Sequence, residues 1–315
     1  MRRPTIRSAA VLVAALLLAV GCSGTAKKSE PPPTAGTTGS PTIVVGAFNF
    51  SESEILAHLF ADALTAAGLR ATVRASTTRE AVQPALWAGQ IQLVPEYAST
   101  LTAFLNGRDR VPHATPAAHS VAGTMDALRA AASRHHLVVL SPAAAANQNA
   151  FAVTDQFARA HHLRSLSDLA HYRGPLVLGG PAECPARPYC QPGLANVYGI
   201  HLTGFRRLDP GGPLTRLALK TGQIQLGLLF SSDPGIQAFG LTVLADDKHL
   251  QDIDVVVPVV QHRAVSPRLT AALNRLTTVL TTSDLMRLNA AADLNHTDPA
   301  DVAHAYMRSK GLAAS

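Results

Sequence analysis

From about residue 42 onward, short β-branched runs alternate with stretches in which apolar residues return every three or four positions, the pattern of strands and amphipathic helices in an α/β fold. "TIVVGA" at 42–47 predicts a buried strand. The helix after it carries Ile55, Leu56, Leu59, Phe60 and Leu64 on one stripe, with Ser51 as its cap and Gly68 as its stop. "RATVRAS" predicts a second strand, 81–88 a helix and "IQLVPE" at 91–96 a third strand. The rhythm continues through "HLVVL" at 136–140, "AFAV" at 150–153, "PLVLGG" at 175–180, "IQLGLLF" at 224–230 and "LTVLA" at 241–245. Parallel sheets with helical crossovers are the expected result. After "VVVPVV" at 255–260 only helices follow, over 267–281, 283–291 and 298–310. Such a tail suits a chain that returns to pack on its first lobe.

Two segments echo one another. "ALWAGQIQLVPEYAST" at 85–100 and "ALKTGQIQLGLLFSSD" at 218–233 share a helix end, Gly-Gln-Ile-Gln-Leu, an apolar strand, an aromatic residue and small hydroxyl residues. Any helix, turn and strand unit resembles another, so chance is one reading. Shared architecture is the other, and it puts an aromatic and a hydroxyl at the C-terminal end of a strand in each lobe, where open α/β sheets bind ligands.

The N-terminus changes the picture of compartment. Arg2, Arg3 and Arg7 precede an apolar run over 9–20 and then Gly21-Cys22, the form of an export signal. The run falls short of the roughly 20 residues that span a bilayer. "LAVGC" at 18–22 resembles a bacterial lipobox, in which Cys22 becomes the lipidated first residue; an ordinary secretory signal with an incidental Cys22 is the alternative. Residues 1–21 thus read as a signal peptide and 22–41, rich in Ser, Thr, Gly, Pro and Lys, as a flexible tether. The expected location is the outer face of the bacterial cell membrane, with Cys22 as the lipid anchor. Losing the three arginines lowers the net charge from +6 to +3. With no Lys/Arg stripe present, a nucleic-acid partner is excluded.

Cys184 and Cys190 then remain, outside the reducing cytosol. Zinc wants four ligands, and no Cys or His partner is nearby. Thiol exchange favours Cys-x-x-Cys, which five intervening residues with two prolines do not provide. A structural disulfide is expected.

"IVVGAFNFSESEILAHLFADAL", "VPEYASTL", "PAECPARPYCQPGL", "LFSSDPGI", "LTVLADDKHL" and "LTTSDLMRLNAAAD" occur in the order and spacing of glycine betaine/choline-type substrate-binding proteins of ABC transporters. The chain resembles that family over nearly all of 42–312. The resemblance implies a type II periplasmic-binding-protein fold: lobe I from 42–146 and 246–315, lobe II from 147–245, and two hinge crossings near Ala146 and Ala245. It further implies a monomer whose cleft closes on a quaternary ammonium osmoprotectant and hands it to an ABC permease, with no cofactor. A ligand-sensing or surface lipoprotein that keeps the fold without transport is the rival reading. No P-loop, Gly-x-Ser-x-Gly, His-Glu-x-x-His or Rossmann fingerprint supports an enzyme.

A trimethylammonium group donates no ordinary hydrogen bond, so aromatic faces suit it best. By resemblance, Tyr97 and Thr100 match the family's Glu-Tyr-Thr-Gly-Thr motif. Phe230 stands before the Ser-Thr-Asp counterpart containing Ser232 and Asp233, and Asn49 and Phe50 match the Asn-Phe pair of the first strand-to-helix loop. Ser51 at that helix start offers backbone N–H groups to an anionic ligand end, or simply caps. Tyr97 and Phe230 either wall a cage or pack as core. Arg187 matches the family's Glu-Phe-x-x-Arg-Pro motif and either grips a ligand carboxylate or braces Glu183. Asn149 joins the ligand-binding set, although it and Val94 stand where the family has aromatics. With only 5% aromatic residues, a cage of four tyrosines is not available in full. The pairs His135-His136 and His161-His162 read as solvated surface, and Asp246-Asp247 as hinge or capping residues.

Overall fold

The computed structural model describes residues 41–75, 78–110 and 120–313. The signal peptide, the lipidation site at Cys22 and all of the tether but Pro41 lie outside the described residues. Residues 40–315 cluster as one unit that carries two five-stranded sheets.

The first sheet is built from β1 (Ile43–Ala47), β2 (Ala71–Ala75), β3 (Leu93–Tyr97), β4 (Leu137–Val139) and, after a long excursion, β10 (Val256–Gln261). Helices α1 (Ser51–Ala66), α2 (Arg79–Trp87), α3 (Ala98–Asp109) and α4 (Val121–Ser133) connect its strands. The second sheet is built from β5 (Asn149–Thr154), β6 (Val177–Gly180), β7 (Gly204–Arg207), β8 (Leu226–Phe230) and β9 (Leu241–Val243), with α5 (Asp155–Ala160), α6 (Leu166–Leu169), α7 (Gln191–Tyr198), α8 (Pro213–Lys220) and α9 (Gly235–Ala238) between them. The chain ends in α10 (Pro267–Val279), α11 (Thr282–Asp293) and α12 (Pro299–Ser309). These last helices share one core with α1, through Leu59, Leu273, Leu285 and Tyr306 among others.

The strand orders are β2-β1-β3-β10-β4 and β7-β6-β8-β5-β9. Both sheets are mixed, which corrects the expectation of purely parallel ones: β10 runs antiparallel to β3 and β4, and β5 antiparallel to β8 and β9. The cause is the route of the chain. Each of these strands arrives from the other lobe and enters its sheet at the C-terminal ends of the neighbouring strands, Val256 opposite Tyr97 and Asn149 opposite Phe230. A strand that starts where its neighbours finish must run against them.

The two crossing segments pair with one another. Asn147 N–H donates to the Asp254 carbonyl and Val256 N–H to that of Ala145, with Ala146 bridged to Val255.

The Gly-Gln-Ile-Gln-Leu echo has the same structure in both lobes. Gly89 and Gly222 take the left-handed conformation, φ 72° and 71°, which glycine adopts at no steric cost. Gln92 Oε1 accepts from Val44 N–H at 2.8 Å, and Gln225 Oε1 from Val177 N–H at 3.0 Å. Each glutamine also donates back to its own glycine carbonyl. The isoleucines press on Gly46 and Gly179 of the adjacent strands, where little room for a Cβ exists. Tyr97 therefore ends β3 as Phe230 ends β8.

Candidate functional site

Between the sheets lies a cleft of about 740 Å³ lined from both lobes. Phe50 precedes α1, Tyr97 closes β3 and Phe230 closes β8; their rings meet in series, Phe50 to Tyr97 at 6.3 Å and Phe50 to Phe230 at 5.2 Å between centroids. Phe48 extends the row, 6.1 Å from Phe50. Three rings thus come from the first lobe and one from the second.

Of the residues expected from sequence, Asn49, Phe50, Tyr97, Thr100, Asn149, Arg187 and Phe230 line this cleft. Ser51, Ser232 and Asp233 do not; they line a smaller cavity of about 130 Å³ that shares Asn49, Phe50 and Phe230 with it. Ser51 is not the cap of α1 either. Phe50 occupies that position in extended conformation without a side-chain cap, and it is Ser53 whose Oγ accepts the Phe48 N–H at 2.8 Å. Ser232 Oγ donates to Glu52 at 2.6 Å. Asp233 forms a buried pair with Arg216 at 2.7 Å, and burial raises its carboxyl pKa despite that partner.

The cleft floor is polar and crowded with carboxylates that the sequence motifs did not mark. Asp254, on the returning crossing, accepts from the N–H groups of Ser99 and Thr100 at 2.7 and 3.3 Å and from Thr100 Oγ1 at 2.8 Å. It sits at the N-terminus of α3, yet burial pushes its pKa up to about 7. Asn147, on the outgoing crossing, repeats this bond pattern in the second lobe by accepting from Ser232 N–H and Ser231 Oγ. Behind the rings, Arg79 grips the fully buried Glu96 with bonds of 2.8 to 3.2 Å, and Gln83 adds a donor at 2.8 Å. The Arg79 guanidinium also lies 5.2 Å over the Phe48 ring. Burial pushes the Tyr97 hydroxyl well above its usual pKa, reinforced by Glu52, to which it donates at 2.6 Å.

Arg187 has two partners rather than the one expected from sequence. It pairs with Glu183 of its own loop at 3.1 Å and with Glu80 of α2, across the cleft, at 3.0 Å. Both Glu80 oxygens take part, and Arg187 holds the Glu80 carboxyl below its ordinary pKa against the opposing effect of burial. The loop presenting Arg187 is closed by a Cys184–Cys190 disulfide. Tyr189 next to it lines the cleft and donates to Asp252 at 2.8 Å.

Other singled-out residues stay outside the cleft. His135 is half-buried rather than solvated, stacked 4.6 Å from Trp87 with Nε2 2.9 Å from Asp109. His136, His161 and His162 are exposed. Asp246 accepts from Leu250 and Gln251 N–H groups and from the Tyr198 hydroxyl, and Asp247 from Ser167 N–H. Both are loop caps.

A profile of the OpuAC family, the substrate-binding domain of the ABC-type glycine betaine transport system, matches residues 41–309. The glycine betaine-binding protein YehZ of Escherichia coli K12 is 25% identical over 281 residues, covering 85% of this chain and 90% of that protein. The glycine-betaine-binding protein of Pseudomonas aeruginosa PAO1 is 27% identical over 291 residues, covering 88% and 91%. Among solved structures, that of a glycine betaine/carnitine/choline ABC transporter superposes with a TM-score of 0.66 at 26% identity, over 86% of this chain and 99% of that one. Lactococcal OpuAC, in its closed-liganded conformation with glycine betaine, shares the two-lobed type II fold with a TM-score of 0.59 at 14% identity, over 86% and 97%. The chain belongs to the OpuAC family of substrate-binding proteins, which are transport components and not enzymes.

Proposed function

We propose that this protein captures a quaternary ammonium osmoprotectant such as glycine betaine or choline in the cleft between its lobes and delivers it to an ABC permease. It works as a monomer outside the cytoplasm, held to the outer face of the membrane by lipid on Cys22, and it closes about the paired crossings at 145–147 and 254–256. The two bodies that close are 42–146 with the chain from 255 onward, and 147–245 with the following segment, whose Leu250 packs in the second core. Family membership supports the transport role. The observation that carries the ligand class is the row of aromatic rings, Phe50, Tyr97 and Phe230, shared by both lobes beside the Asp254 carboxylate. Ring faces attract a methylated cation by about 0.5 to 2 kcal/mol each, and only an ion that touches both lobes rewards closure.

Glycine betaine also carries a carboxylate. Arg187 is the cation for it in this proposal, and the ligand then competes with Glu80 for the guanidinium. Calorimetry with glycine betaine, choline, carnitine, proline betaine and ergothioneine tests the reading. Micromolar or tighter binding of at least one supports it, and the absence of any such binding sinks it. Tyr97→Ala is expected to weaken the bound cation by at least about 1 kcal/mol, the loss of one ring contact.

A further inference from the structure

Glu52 was no candidate from sequence, yet its side chain bonds to both lobes and to the crossing between them. It is 4% exposed and accepts four hydrogen bonds. Oε1 takes the Tyr97 hydroxyl at 2.6 Å and Asn147 Nδ2 at 2.7 Å. Oε2 takes Ser232 Oγ at 2.6 Å and Asn289 Nδ2 at 2.5 Å. The donors come from the end of β3, the outgoing crossing, the loop after β8 in the second lobe, and α11 among the C-terminal helices. All four are neutral, and the carboxylate stands at the second residue of α1, where the helix amino end favours negative charge. A carboxylate has about four lone-pair sites. All are filled.

We infer that Glu52 is the positioning residue that fastens the aromatic wall at Tyr97 to the crossing, to the second lobe and to the C-terminal helices, so that ring placement and lobe closure depend on one carboxylate. One oxygen holds the ring and the crossing; the other holds the second lobe and α11. Tyr97 has its hydroxyl anchored away from any ligand and presents its ring to Phe50 and the cleft. Closing the second lobe onto Ser232 completes the set of donors, and opening it strips one bond from a buried anion. That the ring meets a ligand rests on the function proposed above; the fastening does not.

Glu52→Gln is nearly isosteric but replaces one acceptor oxygen by a donor, which a hydroxyl can accept but which meets the Nδ2 of Asn147 or Asn289 donor to donor. Hydrogen exchange of the intact protein is expected to rise at least tenfold together in the crossing at 146–148, in the turn at 231–233 and around Asn289, with β1 unchanged. A rise confined to the first turn of α1 would overturn the inference, because an ordinary buried polar contact loosens only its own element. Should E52Q not fold, Ser232→Ala removes the second-lobe arm alone and is expected to raise exchange at 146–148 as well as at 231–233; no change at 146–148 has the same overturning force. In calorimetry with glycine betaine, E52Q is expected to lose at least tenfold in affinity. Tyr97→Phe, which keeps the ring, should add less than twofold in a Glu52→Ala background, where the bond from its hydroxyl is already gone. Full additivity counts against the inference. If the wild-type protein binds no member of the ligand panel, the proposed function falls while the exchange measurements still decide on Glu52.

Discussion

Asp254 makes a pH-dependent prediction whose sign and size follow from its surroundings. Its carboxyl pKa is about 7 in the folded protein against an ordinary value of 3.8. The folded state therefore binds a proton more tightly than the unfolded chain, and stability falls as pH rises from about 4 to about 7, above which this group contributes no further slope. At 1.36 kcal/mol per pKa unit, the difference corresponds to about 4 kcal/mol, an upper figure because the group keeps three hydrogen bonds when ionised. Asp254→Asn keeps an oxygen for the Ser99 and Thr100 N–H groups and cannot ionise. Denaturation of both proteins at pH 5 and pH 8 measures the effect. Relative to the wild type, the variant is expected to gain up to about 3 kcal/mol between pH 5 and pH 8, the part of the ~4 kcal/mol that falls above pH 5. Equal pH slopes in the two proteins would show that Asp254 titrates normally. Ligand binding carries the opposite sign: a cation in the cleft favours the carboxylate, so affinity should rise between pH 6 and 8 with proton release, and D254N should abolish that rise.

Further tests address the cleft edge and the core. If Arg187 chiefly bridges the lobes, Glu80→Gln weakens choline and glycine betaine alike; if it grips a ligand carboxylate, Arg187→Ala costs glycine betaine at least tenfold more than choline, and parallel titrations separate the two. Cys184→Ala with Cys190→Ala opens a loop of sequence separation 6 and is expected to lower stability by about 2 kcal/mol by chain entropy, read as a melting shift of roughly 5 °C. Gly179→Ala sets a Cβ 2.4 Å from Ile224 Cδ1 and 2.8 Å from Leu208, for a loss of about 1 to 3 kcal/mol. Gly46→Ala, whose nearest atom is Ile91 Cδ1 at 3.1 Å, should lose less in the same melts.

What the sequence disclosed was local. The Gly-Gln-Ile-Gln-Leu turns were legible because a left-handed glycine and a returning glutamine act within a few residues of each other. Strand direction was not: β5 and β10 have the same apolar runs as their neighbours, and only the route of the chain reverses them. The helix over 98–109 is weakly amphipathic and escapes prediction from pattern, and the stripe of the one over 121–133 is muted because alanines supply much of it. The site residues follow the same divide. Tyr97 and Phe230 stand at strand ends that local pattern finds, and Phe50 in a loop that the family resemblance marks, whereas Asp254 and Glu80 act on partners over a hundred residues away. Glu52 did leave a trace. It occupies the same stripe as Ile55, Leu56 and Leu59, all fully buried, and a charged residue on such a stripe marks a carboxylate that must find donors inside.

The placement of the two crossing strands has a mechanical consequence. Neither β10 nor β5 lies at an edge: each is fourth of five in its sheet, flanked on both sides. A torque applied between the lobes is therefore delivered to a strand braced by a neighbour on either side, and the load spreads across the whole sheet instead of peeling an edge. In the proposed closure, compliance is left to the short stretches between 140 and 148 and between 244 and 255, the flexure of a stiff two-armed lever. Changes there should alter how far the arms travel, and changes within the sheets should alter only whether the arms hold their shape.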